Sequence, residues 1–302
     1  MLIGVAATPQ VAVPALDWLF GSHHELARVI TQPDRMVGRG QKIQQSPVAL
    51  WANNHGVNLL QPDSMPAIGD SLAGLDLLIT IGYGRLLPES ILEIPTHGCI
   101  NLHFSLLPKY RGAAPVQRAI ENGETLSGVT VFKLDSGMDT GPIYYSKSIE
   151  IAPEWRSAEL LSELSALGVS AIAKSLEMIE TGQQPIPQAG EASRANKLTK
   201  EEARINWSTP GHLIANRIRA FYPQPCAWTV FRGQKLKISR ASISQATINL
   251  AAGQLQSFEN SCLIGTIDGV IEIHDVIPEG KSEMKAIDWS RGARFSPVEI
   301  CD

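Results

Sequence analysis

The chain has 302 residues, 44% hydrophobic and 19% charged, with a formal net charge of −4 at pH 7. That length exceeds the usual reach of one hydrophobic core and predicts two domains, and the composition is that of a soluble globular chain. No apolar run approaches the roughly 18 to 20 residues that would span a bilayer, and the opening LIGVAAT reads as a strand rather than a signal or transit segment, so the expectation is a cytoplasmic protein.

LIGVAAT is a buried strand, followed by a helical spacing of Val11, Leu16, Leu19 and Phe20, and ELARVIT is a second strand. Residues 33–46 are polar, basic and glycine-containing and read as a loop. PVALWANNHG is a helix with Pro in its first turn and Gly at its end. VNLLQP, LDLLITIGYG and GCINLHFS are further strands, and SGVTVFKLD and PIYYSKSIEI are two alternating strands joined by the turn-rich SGMDTG. Residues 157–181 carry the longest helical pattern, with Leu160, Leu161, Leu164, Leu167, Val169 and Ile172 on a broad apolar face. Residues 182–196 lack periodicity and read as a linker. Beyond it lie one helix near 209–221 and the short strands AWTVF, KLKISRASI, TINLAA, CLIGTIDG and VIEIHDVIP.

Near-continuous apolar strands separated by helices imply a mostly parallel sheet covered on both faces, with ligand sites beyond the carboxyl ends of its strands. The short closing strands imply a small barrel or sandwich. The four cysteines, Cys99, Cys226, Cys262 and Cys301, are scattered, without a CxxC pair, and read as small buried hydrophobes. His23 and His24 are adjacent, and adjacent residues on a helix or a strand point in different directions, so they predict no ligand pair.

The most informative segment is GCINLHFSLLPKYRGAAP. Asn101 and His103 are two apart on a strand and leave one face, while Leu102 points to the opposite layer. Two polar side chains on one face of a buried strand conflict with burial unless they have work to do. Asp139 sits in the glycine-rich GMDTG, where backbone can approach a ligand. The trio suits acyl or formyl transfer to a neutral amine. An Asn donor and a His stabilise the developing oxyanion, at about 2.7–4 kcal/mol per well-placed donor, and a His beside a carboxylate relays the proton that the attacking nitrogen loses. From spacing alone each of these residues, taken singly, is more often structural.

Asn101-x-His103 followed by SLLPKYRGAAP, with Asp139 in DTGP, resembles the folate-dependent formyltransferases. The resemblance implies an α/β fold: a mostly parallel, Rossmann-like sheet with flanking helices, followed by a smaller β-rich, OB-like C-terminal barrel. It implies catalytic roles for Asn101, His103 and Asp139, and 10-formyltetrahydrofolate as co-substrate, held along Ser105, Leu106, Leu107 and Pro108 with the pteridine near Tyr83–Leu87. It places a catalytic domain at 1–188, a linker at 189–206 and a tRNA-binding barrel at 207–302. Ala7 stands where the family usually has Gly, and Cys226 where Gly is frequent; neither touches the chemistry.

Two stretches, TQPDRMVGRGQKIQQSPV (31–48) and KLTKEEARINWSTPGHLIANRIRAFYPQPCAW (197–228), narrow the resemblance to the branch that acts on methionyl initiator tRNA. Residues 205–250 hold Arg217, Arg219, Arg232, Lys235, Lys237 and Arg240 and no acid; composition alone fits equally a local basic field that attracts phosphates even on an acidic chain and a solvated, mixed-charge surface. In the loop, Arg35, Arg39 and Lys42 bracket Gly38 and Gly40, which suits a segment that orders on a polyanion. The resemblance implies that it enters the acceptor-stem end of the tRNA, with Arg39 as key contact. Lys197, Lys200, Arg204, Arg217 and Arg219 are further phosphate candidates. Arg217 and Arg219, two apart on a helix, cannot fully share a face, so at least one is open to an internal ion pair.

Three other readings compete. A formyltransferase for a sugar nucleotide or other small amine leaves the acid-free basic run without a purpose. A non-catalytic RNA-binding module leaves the intact trio unexplained. A dehydrogenase needs a strand–GxGxxG–helix unit that is not present. The resemblance implies a monomer, and the chemistry requires no metal.

Overall fold

Apolar runs become the inner strands of one sheet, and the computed structural model, which describes residues 1–37, 42–258, 260–296 and 299–302, shows how. In chain order the first elements are β1 (Leu2–Ala7), α1 (Val13–Phe20), β2 (Glu25–Ile30), β3 (Arg35–Val37), β4 (Lys42–Gln44), α2 (Pro47–His55), β5 (Leu59–Leu60), α3 (Met65–Asp70), β6 (Leu77–Ile81), α4 (Glu89–Leu92), β7 (Cys99–His103), α5 (Pro115–Glu121), β8 (Leu126–Lys133), β9 (Ile143–Glu150) and α6 (Ser157–Glu180). The chain divides into two units. The first comprises Met1–Gly112, Leu126–Ile149 and Leu161–Arg194; the second comprises Ala113–Thr125, Glu150–Leu160 and Ala195–Asp302.

The first unit is built on a seven-stranded sheet in the order β5-β2-β1-β6-β7-β8-β9. β5, β2, β1, β6 and β7 pair in parallel, and β8 runs antiparallel to β7. Ile3, Val5, Leu77, Leu78, Ile79 and Ile81 are fully buried, which is why these strands read as unbroken apolar runs: both faces are covered. The strand order reverses between β1 and β6, the point at which open α/β sheets take their ligands. On the other side of β7, α6 lies so close that a Cβ on Gly168 would stand 2.6 Å from Leu102 Cδ2, so Leu102 does face the opposite layer. The helix at α2 has the expected ends. Ser46 Oγ accepts from Ala49 N at 3.0 Å, Pro47 opens the first turn, and Gly56 closes it in the left-handed region at φ 66°.

Two expectations for this unit change. Residues 33–46 are not all loop, because β3 and β4 pair antiparallel with Met36 opposite Ile43. The stretch read as a linker is tied down along its first part: Ile186 pairs with Ile143, and Arg111 bridges Arg194. It lacks periodicity because each of its bonds goes to a different partner.

The second unit continues with α7 (Gly211–Phe221), β10 (Trp228–Phe231), β11 (Gln234–Ile243), β12 (Gln254–Phe258), β13 (Ser261–Gly265), β14 (Val270–Pro278), β15 (Met284–Lys285), α8 (Ala286–Ala293) and β16 (Glu299–Ile300). Its strands follow the antiparallel order β10-β11-β14-β13-β12-β16. The chain end then returns to the first strand, since Val230 and Asp302 exchange backbone hydrogen bonds at 3.1 and 3.0 Å, and the sheet becomes a nearly closed barrel. TINLAA forms no strand; the barrel uses Gln254–Phe258 instead. Cys226 is buried at φ 65°, a conformation in which Gly carries no Cβ penalty. All four cysteines are buried and unpaired. Among the described residues no helix is long and apolar enough to cross a membrane.

Candidate functional site

Thr80 of β6 lies opposite Asn101 of β7 in the parallel ladder. Its hydroxyl donates to Ile100 O at 3.2 Å and accepts from Asn101 Nδ2 at 2.7 Å, which fixes the amide and leaves its second N–H for another acceptor. Two residues on, His103 Nε2 is 2.9 Å from Tyr110 O. A carbonyl only accepts, so Nε2 carries the proton and Nδ1 of the neutral ring holds a lone pair. Nδ1 is 3.8 Å from Asp139 Oδ2, with the two side chains 7% and 18% exposed. Burial holds the His103 pKa below its ordinary 6.5, against the upward pulls of the Asp139 charge and the Tyr110 carbonyl. The imidazole is therefore neutral at pH 7, and two acceptors lie near enough that one amine set beside the pair can donate to both.

The carboxylate is held by its own loop and by two distant segments. Within the loop, Asp135 Oδ1 accepts from Gly137 N at 3.1 Å and from Thr140 Oγ1 at 2.7 Å. Asp139 itself sits at φ 55°, a costly region for a residue with a Cβ. Its Oδ2 accepts from Gly112 N at 2.7 Å. From the stretch after α6, Gln188 Nε2 donates to Asp139 O and Gly141 O, both at 2.9 Å, while Gln188 Oε1 accepts from Arg111 Nη2 at 2.5 Å. Gly141 is required by space, because a Cβ there would lie 1.8 Å from Lys133 O.

The turn Ser105–Pro108 is pinned by one hydroxyl. Thr130, opposite His103 on β8 and fully buried, donates to Ser105 O at 2.7 Å and accepts from Leu107 N at 3.2 Å. Ser105 Oγ turns inward to Lys109 O at 2.6 Å. Leu107 and Pro108 are buried and Leu106 half-buried. Tyr83 is buried with its hydroxyl unpartnered, and burial pushes that phenol up from its usual pKa. Leu87 packs in an apolar cluster with Leu78, Ile91 and Leu92, whereas its neighbour Leu86 is 64% exposed. A cleft of about 540 Å³ opens beyond the carboxyl ends of β1, β2 and β6, lined by Thr8, Gln32, Arg35, Gln44, Gly82 and Tyr83.

The predicted basic residues fare unequally. Arg35 is exposed and bonds Gln32 Oε1, and Gln32 Nε2 in turn donates to Tyr83 O at 2.7 Å. Arg39 lies outside the described residues, and of Lys42 only the backbone, in β4, is described. Lys197, Lys200 and Arg204 are exposed, with Arg204 over the Trp228 ring at 5.7 Å. Arg217 and Arg219 are both engaged within their own unit. Arg217 pairs with Glu121 at 3.0 Å, and Arg219 donates to Pro153 O and Trp155 O at 2.7 and 2.9 Å. Sequence reasoning missed Thr80, Thr130, Gln188 and Ser193, whose Oγ accepts from Tyr110 N at 2.9 Å. The two threonines had a signal, as lone polar residues inside apolar strands; Gln188 and Ser193 had none.

A doubly covered sheet carrying Asn101 and His103 on β7 and Asp139 in the loop after β8, followed in the chain by an antiparallel barrel, is the architecture of a two-unit group-transfer enzyme. Residues 3–176 match the family described as formyl transferase, and residues 197–294 match formyl transferase, C-terminal domain; the chain belongs to the formyl transferase family. It is 39% identical to the methionyl-tRNA formyltransferase of Salinispora tropica, with 99% of each chain covered. Its fold is similar to that of a methionyl-tRNA formyltransferase from Clostridium thermocellum (TM-score 0.57, 19% identity, 82% of this chain and 95% of that one). It is also similar to HypX from Aquifex aeolicus, solved in complex with tetrahydrofolic acid (TM-score 0.69, 19% identity, 99% and 48%).

Proposed function

We propose that this chain transfers the formyl group of 10-formyltetrahydrofolate to the amino group of methionyl initiator tRNA. The observation that carries the chemistry is the pair of facing acceptors, His103 Nδ1 and Asp139 Oδ2, 3.8 Å apart. An attacking amine placed there donates to both. As its nitrogen bonds to the formyl carbon, its proton passes to Nδ1 and the adjacent carboxylate stabilises the imidazolium; when the bond between the formyl carbon and the carrier nitrogen breaks, the imidazolium gives that proton to the departing tetrahydrofolate nitrogen and the neutral ring is restored. The spare N–H of Asn101, held by Thr80, is the donor for the negative charge that develops on the formyl oxygen. His103 thus acts mainly as base, because its own N–H is committed to Tyr110 O.

The unpartnered, buried Tyr83 hydroxyl fits a ligand that brings its own polar edge, as a pteridine does. With Ser105–Pro108 and Leu87 it is assigned to the folate; the carrier, when bound, supplies the electrophilic formyl carbon. Similarity to methionyl-tRNA formyltransferases over nearly the whole chain supports the acceptor. We assign Arg35, Arg39, Lys42, Lys197, Lys200 and Arg204 to the tRNA backbone, with Arg217 and Arg219 shaping the surface through their internal bonds. The division proposed is a catalytic domain at 1–188, a linker at 189–206 and a tRNA-binding barrel at 207–302, acting as a cytoplasmic monomer.

The test is turnover with 10-formyltetrahydrofolate on charged initiator methionyl-tRNA, elongator methionyl-tRNA and an amino sugar nucleotide in parallel. The proposal expects initiator tRNA to win by orders of magnitude in kcat/KM. Comparable turnover on the amino sugar would overturn the acceptor assignment.

A further inference from the structure

His23 and His24 sit not on a helix or a strand but in the bend between α1 and β2, where neighbouring side chains are free to converge. Their ring centroids are 3.9 Å apart. Both rings face the carboxylate of Glu180, the last residue of α6, with His23 Nε2 at 3.7 Å and His24 Nδ1 at 3.4 Å from the same Oε1. The three donor atoms all lie within 4.8 Å of one another.

Several features go beyond a surface ion pair. His24 is only 7% exposed, and its Nδ1 is buried without a hydrogen-bond partner, despite the nearby carboxylate. Such a nitrogen in a native interior calls for an explanation. Glu180 places a carboxylate at the negative end of a 24-residue helix, an unfavourable position that a cation relieves. The geometry is close to a coordination sphere as well. Ligands about 2.0–2.1 Å from a tetrahedral zinc ion stand roughly 3.3 Å apart, against 3.4 and 3.7 Å from the Glu180 oxygen to the two rings here, with all three donor atoms within 4.8 Å, so a small closure brings them onto one ion.

We propose that His23 Nε2, His24 Nδ1 and Glu180 Oε1 bind a divalent transition cation of the zinc type, with water in the fourth position. Two imidazoles and one carboxylate suit zinc or cobalt rather than magnesium or calcium. The site clips the approach to β2 onto the end of α6 and uses no residue assigned to formyl transfer. His23, with its side chain 76% exposed, provides the entry path.

The experiment is calorimetric titration of the full-length chain with Zn²⁺ alone at neutral pH, together with Co²⁺ and its visible absorption. The wild type is expected to take up one equivalent at this site and to give the absorption of four-coordinate cobalt. His23→Ala and Glu180→Gln, both at positions reachable by solvent and safe for folding, are each expected to weaken binding by at least about tenfold and to abolish that absorption. Binding unchanged in both variants, or no uptake by the wild type at millimolar Zn²⁺, would overturn the proposal.

Discussion

Replacing Asp139 by Asn removes a charge while keeping the shape. The Asn oxygen still accepts from Gly112 N, so the loop at φ 55° keeps its anchor, and the loss in stability should stay below about 1 kcal/mol. What disappears is the carboxylate 3.8 Å from His103 Nδ1. At an effective dielectric constant of about 20, suited to a site this close to the surface, that charge stabilises an imidazolium by about 4 kcal/mol. If the proton sits on His103 at the transition state, kcat should fall by roughly three decades. The measurement is single-turnover formyl transfer to methionyl initiator tRNA, with tRNA affinity determined separately and expected to change less than twofold. A kcat within tenfold of the wild type, in a variant that folds and binds normally, would refute the assignment of Asp139 as the partner of the base.

Four further outcomes follow from the same geometry. Because burial keeps His103 below 6.5, kcat/KM should hold steady as pH falls from 8 through 6.5 and decline only at lower pH; a limb centred above 6.5 would contradict a neutral buried base. Gln188→Ala should lower kcat by about tenfold with little change in KM for tRNA, and cost about 1–3 kcal/mol of stability, since two loop carbonyls and Arg111 lose their partner. If Arg35, Arg39, Lys42, Lys197, Lys200 and Arg204 each meet one phosphate, affinity for tRNA should drop roughly a thousandfold between about 50 and 200 mM salt, and a flat response would remove the polyanion argument. In the barrel, the Arg232 hydrogen bond holds the Glu299 carboxyl at about 2, well under its ordinary 4.5. A depressed carboxyl stabilises the fold above 4.5 and loses that effect as pH falls toward 2, so the stability gap between wild type and Glu299→Gln should close over that interval in an acid titration.

What could be read from residues alone was whatever period and burial impose. LLITI at 77–81 must lie inside a parallel sheet, and a strand of period two must put Asn101 and His103 on one face. The β3–β4 pair escaped because three-residue strands carry too few alternations to register as a pattern. TINLAA alternates well enough to be a strand but makes no ladder, which depends on partners that spacing does not specify. For His23 and His24 the divergence expected of adjacent residues holds only in regular elements, and the bend that holds them obeys neither period. Arg217 and Arg219 looked alike as cations, and only their partners, a carboxylate for one and backbone carbonyls for the other, tell them apart.

The deepest gap between spacing and function concerns the tautomer of His103. Nothing near residue 103 in the chain states which ring nitrogen is protonated. Tyr110 O decides it, and Tyr110 is held at φ 62° with its N–H donated to Ser193 Oγ at 2.9 Å. Arg111 N adds a bond to Ser193 O, also at 2.9 Å, and Ser193 N reaches Pro108 O at 3.3 Å. The orientation of the base is therefore set by residues that resemble a featureless linker, and the same stretch supplies Gln188 to the loop of Asp139. A side chain two residues from Asn101 on one strand owes its chemistry to a segment about ninety residues later, because a neutral imidazole takes whichever proton placement its second partner dictates. Ser193→Ala keeps the backbone bonds and removes only the hydroxyl. It should therefore lower kcat and shift the acid limb of the pH profile, since one of the bonds that position Tyr110 O against Nε2 is lost, whereas an unchanged profile would mean that the remaining bonds hold the carbonyl in place.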